Sequence, residues 1–213
     1  MAAPLHSDMA ITDSAVAKAA LRLLVRNRRK QLALEHPEAD WMIVDVARAP
    51  LTARFPNPAG KVAALYAGVG AEIDPRRHLA GWLIEQGWTL ALPRVEGPTG
   101  GKADGHMVFR QWTPGDALTR DEAGVSAPEP SRPALEPDLV ITPLLAFRRD
   151  GRRLGQGGGY YDRALEALRA RRPVFMLGLG YLGQETHGLP VEAHDQRLDA
   201  ILTESAYIAV EED

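Results

Sequence analysis

Lys61-Val-Ala-Ala-Leu-Tyr-Ala-Gly-Val69, then Asp74-Pro75 opening a segment that closes at Gln86-Gly87, then Trp88-Thr-Leu-Ala-Leu92-Pro93, reads as strand, helix, strand. The two outer pieces are short apolar runs bounded by turn residues, the pattern of strands buried on both faces. Pro75 suits the first turn of a helix and Gly87 its stop. Strands joined this way run parallel, because only a crossover returns the chain to the same edge. The alternation continues outward. Met107 to Trp112, Leu139 to Thr142 closed by Pro143, Val174 to Leu177 and Leu198 to Leu202 are strand-like, with Tyr161 to Arg171 helical and Pro128 to Pro137 a proline-rich connection. Short apolar strands alternating with helices predict an α/β protein with a mostly parallel sheet covered on both faces.

Upstream, Met1 to Thr12 reads as a loose leader, and Asp13 or Ser14 offers an N-cap for a long helix ending before Pro37. The remainder, 13–213, is expected to be a single domain. On that helix Ala17, Leu21, Leu24, Val25 and Leu32 share one face, with Lys18, Arg22, Arg26 and Arg29 as a basic stripe beside it. Like charges at this spacing repel, so the stripe faces either water or an anion. A second amphipathic segment, Asp40 to Arg54, is closed by Phe55-Pro56-Asn57-Pro58. At 213 residues, 45% hydrophobic and 25% charged, the chain can bury a core of its own. A formal charge of −3 gives no global basic field for nucleic acid, and no apolar run is long enough to span a membrane. Neither partner is expected. The absence of cysteine excludes disulfides, thiolate catalysis and Cys-ligated metal. With no signal-peptide pattern, the expected location is the cytoplasm.

The densest chemical signal is Arg153-Leu154-Gly155-Gln156-Gly157-Gly158-Gly159-Tyr160-Tyr161-Asp162-Arg163, which lies between a strand and a helix. Such a loop can bring its N–H groups close to an anion, and the helix N-terminus behind it adds partial positive charge. Phosphate is the natural guest, with Arg153 as a guanidinium contact and Asp162 placed to hold a divalent cation. The other reading is a plain surface loop with Asp162 favouring the helix dipole. No lysine follows the glycines, so this is not a Walker loop. Gly178-Leu-Gly180-Tyr-Leu-Gly183 matches the dinucleotide fingerprint by letter, but Gly188 and Pro190 leave no room for its helix.

Pro143-Leu-Leu-Ala-Phe147 followed by the Arg153 to Arg163 segment resembles the signature of the 5-formyltetrahydrofolate cyclo-ligase family. Lys18-x-x-Leu-Arg22, Glu72, Leu92-Pro-Arg94, the Val108 to Asp116 segment, Glu129-Pro130 and His194-Asp-Gln-Arg-Leu-Asp199 leading to Thr203-Glu204 agree in order. The resemblance implies a three-layer α/β/α sandwich. It also implies ATP- and Mg²⁺-dependent closure of 5-formyltetrahydrofolate to 5,10-methenyltetrahydrofolate, with ADP and phosphate released. By it, Lys18 and Arg22 reach the ATP phosphates, Arg153 and Leu154 to Tyr161 cradle the nucleotide, and Lys18 and Arg153 carry the catalytic charge. Asp162 and Asp195 correspond to the magnesium carboxylates. Glu72 matches a folate contact, and Met107, Tyr160 and Tyr161 line the substrate side. Arg26 and Arg29 keep the solvated reading.

Arg148, Arg149 and Gln156 depart from the usual pattern of that family. His106, His187 and His194 sit at no metal-ligand spacing, and His194 beside Asp195 could orient it. Asp199 reads as structural. The partners implied are small molecules, ATP and the folate; a monomer is the expectation, though no feature of the sequence fixes the oligomeric state. A non-catalytic nucleotide or folate binder would keep the loop without turnover, and a sugar-phosphate isomerase-like enzyme would act without ATP.

Overall fold

The computed structural model of the chain describes residues 6–97, 105–190 and 195–211. Its elements in order are helices α1 (His6–Glu35) and α2 (Ala39–Arg54), strand β1 (Val62–Ala64), helix α3 (Leu79–Glu85) and strands β2 (Thr89–Glu96) and β3 (His106–Gln111). Next come the small pairs β4 (Thr119–Arg120) with β5 (Ser126–Ala127), and, after β6 (Leu139–Pro143), β7 (Ala146–Phe147) with β8 (Arg153–Leu154). Helix α4 (Tyr160–Arg169), strand β9 (Phe175–Leu179), a single helical turn at Leu182–Gln184, and strands β10 (Ala200–Leu202) and β11 (Tyr207–Ala209) complete the chain.

Seven strands form one sheet in the order β11-β10-β9-β6-β1-β2-β3. The four inner pairings are parallel, and the two edge strands β3 and β11 run antiparallel. Alternate residues serve opposite faces. Leu65, Leu90, Leu92, Leu139, Ile141, Leu177, Leu179 and Leu202 meet Ile43, Val44, Leu51, Leu79 and Leu83 of α2 and α3 in one cluster. Ala64, Ala91, Val140, Met176 and Ile201 meet Leu165 and Leu168 of α4 in the other. These are the two faces of a three-layer α/β/α sandwich.

Several boundaries differ from the sequence reading, each for a local reason. Helix α1 begins at His6, so the leader expected over residues 1–12 is helical from that point; Met1 to Leu5 lie outside the described residues. No proline or glycine stands between Pro4 and Pro37 to set a later start. Helix α3 starts at Leu79 rather than near Pro75, because the Asp74 carboxylate accepts the Arg76 N–H at 3.1 Å and holds a turn there. Strand β2 runs through Pro93. Its odd-numbered residues face β1, with Thr89 N–H donating to Lys61 O and Leu65 N–H to Ala91 O, so Pro93 ends that ladder while pairing with β3 continues to Glu96. Leu24 is exposed, whereas Leu21 and Val25 pack on Leu145, Ala146, Leu154 and Leu189. Asp199 is structural as read: its carboxylate accepts the Met176 N–H and an Arg169 N–H, both at 2.6 Å. The fingerprint-like glycines open no α-helix, only the single turn Leu182–Gln184 that contains Gly183, and a Cβ at Gly178 would collide with Leu198 and Leu144.

Candidate active site

The chain leaves β1 toward one side of the sheet, through β2, and returns through β6 toward the other. The two neighbouring strands β1 and β6 therefore mark the switch point where open α/β sheets leave a crevice at their carboxyl ends. A cavity of about 680 Å³ lies there, walled by Tyr66 after β1, Thr142 and Pro143 closing β6, and the glycine loop between β8 and α4. Helix α1 lies across it, contributing Arg26, Arg29 and Lys30.

The glycine loop has the backbone its composition demands. Gly157 has φ +103°, and an added Cβ would sit 3.2 Å from the Arg22 guanidinium carbon. Gly159 has φ +64° and precedes the first residue of α4. L side chains are strained in this region. Arg22 Nε donates to Gly155 O at 3.0 Å, tying the loop to α1. Leu154 itself points away, with its side chain in the small cluster beneath α1.

Cations and carboxylates from distant parts of the chain meet around the loop. Lys18 is buried, and its Nζ lies 2.9 Å from Asp195 Oδ2. Arg153 donates to Asp162 Oδ1 at 2.8 Å and to Gln196 O, while Gln196 N–H donates to the same Asp162 oxygen at 3.0 Å. Asp162 thus accepts from the backbone of the residue that follows Asp195, and each of the two carboxylates is held by a basic side chain. His194 lies outside the described residues. Among the described residues, no group of three or more His, Asp or Glu side chains forms a metal cage.

The solvated reading of Arg29 is overturned. Arg29 donates to Glu72 Oε1 at 2.9 Å with both side chains buried, and its Nε is buried without a hydrogen-bond partner among the described residues. Glu72 Oε2 also accepts the Val69 N–H. Arg26, given the same reading, donates to Gln156 Oε1. Arg29 stands eleven residues after Lys18, within about 20° of it around the helix, so its face was open to the sequence. The carboxylate arriving from Glu72 was not.

Met107, Tyr160 and Tyr161 line the cavity, with the Arg163 guanidinium over the Tyr160 ring at 5.1 Å. Burial raises the Tyr161 phenol far above its ordinary range; the Glu72 charge adds to this and Arg153 opposes it. Tyr66 is raised in the same way, chiefly by burial and then by Glu72, and its hydroxyl donates to Ile73 O at 2.6 Å. Both stay protonated at neutral pH. Arg148 and Arg149, outside the cavity lining, pair with Asp150 and Glu185.

The 5-formyltetrahydrofolate cyclo-ligase family model matches residues 14–204. A 5-formyltetrahydrofolate cyclo-ligase of Escherichia coli K12 is 30% identical over 189 residues, covering 85% of this chain and 97% of that one. The solution structure of Aquifex aeolicus 5,10-methenyltetrahydrofolate synthetase superposes with a TM-score of 0.68 at 25% identity, over 92% of this chain and 94% of that one. The Mycoplasma pneumoniae synthetase gives 0.65 at 25% identity, over 88% and 99%. Sequence and fold agree along nearly the whole length, and the chain belongs to the 5-formyltetrahydrofolate cyclo-ligase family of enzymes.

Proposed function

We propose that the chain uses ATP and Mg²⁺ to close 5-formyltetrahydrofolate to 5,10-methenyltetrahydrofolate. The observation that carries this is a single cavity with an anion-ready glycine loop on one wall and the buried Glu72–Arg29 pair on another. A phosphate donor and a ring bearing N–H groups would meet between them.

A formyl oxygen on N5 is a poor leaving group as it stands. It attacks the γ-phosphorus, the bond to the ADP oxygen breaks, and an activated imidate phosphate results. N10 then attacks the formyl carbon, its proton is lost, and the carbon–oxygen bond breaks to release phosphate. No protein nucleophile is consumed, so the lack of cysteine is no obstacle. The protein supplies alignment and charge. Lys18 and Arg22 would meet the phosphates from α1, and Arg153 and the N–H groups of Gly155 to Gly159 would meet them from the loop. Glu72 would accept from the pterin N–H groups, with Met107, Tyr160 and Tyr161 packing on the rings. Asp162 and Asp195, now engaged by Arg153 and Lys18, would hold Mg²⁺, an ion that needs only one or two protein carboxylates when phosphate is bound. There it would neutralise charge on the transferring phosphoryl group.

The test is the rise of methenyl absorbance with ATP, Mg²⁺ and 5-formyltetrahydrofolate. Product is expected only when ATP is present. Turnover without ATP would favour an isomerase-like enzyme, and nucleotide binding without product a binding-only relative. Gly157→Val, which forces a β-branched side chain to positive φ and against Arg22, should abolish binding of a non-hydrolysable ATP analogue while the chain still folds, at a melting temperature that the strain lowers by a few degrees. Retained binding in that folded variant would remove the loop from the nucleotide site.

A further inference from the structure

Gln156 is exposed at the crest of the glycine loop, and its carboxamide is bonded at both ends. Its Oε1 accepts from Arg26 Nη2 at 3.0 Å and from Arg26 Nε at 3.3 Å. Its Nε2 donates to Glu72 Oε1 at 3.0 Å. The orientation of the amide is dictated by its neighbours, since a flip would set NH₂ against a guanidinium and oxygen against a carboxylate. Glu72 Oε1 is shared with Arg29 at 2.9 Å. One chain of hydrogen bonds, Arg26 to Gln156 to Glu72 to Arg29, thus spans the cavity from loop to wall.

We propose that Gln156 is a positioning residue that couples the glycine loop to Glu72, so that a nucleotide on the loop and the pterin substrate at Glu72 strengthen each other's binding. This rests on the placement of the two substrates given above. A loop with glycines at 155, 157, 158 and 159 loses much conformational freedom when it is fixed, and the first ligand bears that cost. Because Gln156 moves with the loop, a fixed loop also fixes the hydrogen bond that orients Glu72. The second ligand then meets a carboxylate already aimed. Linkage requires the effect to be equal in both directions. A residue that served the loop's shape alone would leave the affinity for the folate indifferent to the nucleotide.

Two exposed-site variants separate these roles. Gln156→Glu keeps the acceptor for Arg26 but sets a carboxylate against Glu72; Gln156→Ala removes both bonds. Calorimetric titration of 5-formyltetrahydrofolate into the full chain, with and without saturating Mg²⁺ and a non-hydrolysable ATP analogue, reads the coupling. The unaltered protein should bind the folate about five- to tenfold tighter when the analogue is present. In both variants the ratio should fall below about twofold, at a melting temperature close to the parent's. Equal folate affinity with and without analogue in the parent, or a ratio preserved in the variants, overturns the proposal. So does loss of analogue binding in the variants, which would make Gln156 a direct nucleotide contact. If the parent binds neither ligand, the functional reading fails and this proposal with it; binding of both with an unchanged ratio in the variants fails this proposal alone.

Discussion

Lys18 shows how a single residue can change its meaning between sequence and structure. On a helical wheel it joins a basic stripe, and charge on a helix is ordinarily solvated; in the fold it is 5% exposed against Asp195, 177 positions away. Removing it strips Asp195 of that cation and, on the proposed function, empties a phosphate contact. Lys18→Ala should therefore lose nucleotide affinity and about 1–2 kcal/mol of stability, read by titration and denaturant unfolding. Unchanged stability would return Lys18 to the surface. The tyrosines make a second case. Tyr66 and Tyr161 are raised by burial above the unfolded value near 10, so below pH 10 both states are protonated and stability is intact. Above pH 10 the unfolded chain gives up protons that the folded chain keeps. Stability should fall there by about 1.4 kcal/mol per pH unit for each of the two, until the folded values are reached. Phenolate absorbance that develops before unfolding would contradict this.

Among the elements, those with a hydrophobic period of their own were legible: α2, α4 and the inner strands β2, β6, β9 and β10 lie about where apolar runs place them, whereas β1 is only Val62–Ala64 of the run read from Lys61 to Val69, its end having left the sheet for the cavity wall at Tyr66. The pairs β4–β5 and β7–β8 and the edge strand β11 were not. They are two or three residues long and exist only because a partner strand is already in position, which no local pattern records. Arg153 and Leu154 look like the start of a loop in the sequence and are a strand in the fold for that reason. Helix α4 depends on few contacts, with only Leu165 and Leu168 buried among its ten residues. Leu165→Ala should cost about 2–4 kcal/mol in denaturant unfolding. Because Tyr161 and Asp162 ride on the first turn of this helix, nucleotide binding should weaken in the same variant. A cost below about 1 kcal/mol would mean that α4 is held from its ends instead.

At the scale of the whole molecule, the glycine loop announced itself by composition, whereas the cavity's position followed only once the strand order was known. The ionic contacts were not legible, because each joins residues far apart in the chain: Lys18 to Asp195, Arg29 to Glu72, Arg153 to Asp162. Helix α1 gathers the first two. It packs on the β7–β8 hairpin through Leu21 and Val25 and on the α2–α3 face through Leu32. Between Lys18 and Arg29 it advances about 16 Å at 1.5 Å per residue while returning to nearly the same angle. The helix is thus a graduated shaft whose marks must stay in phase with carboxylates fixed elsewhere. One alanine inserted after Asn27 adds only about 1.5 Å of length but turns everything beyond it by about 100°. Circular dichroism should find the helix still formed, while the melting temperature falls and folate binding disappears, because Arg29 no longer faces Glu72. Full stability and binding in that insertion variant would mean that α1 can slip its phase. If it cannot, evolution can exchange residues along this helix freely on its outer side, but can neither lengthen nor shorten it by a single position between the two anchors.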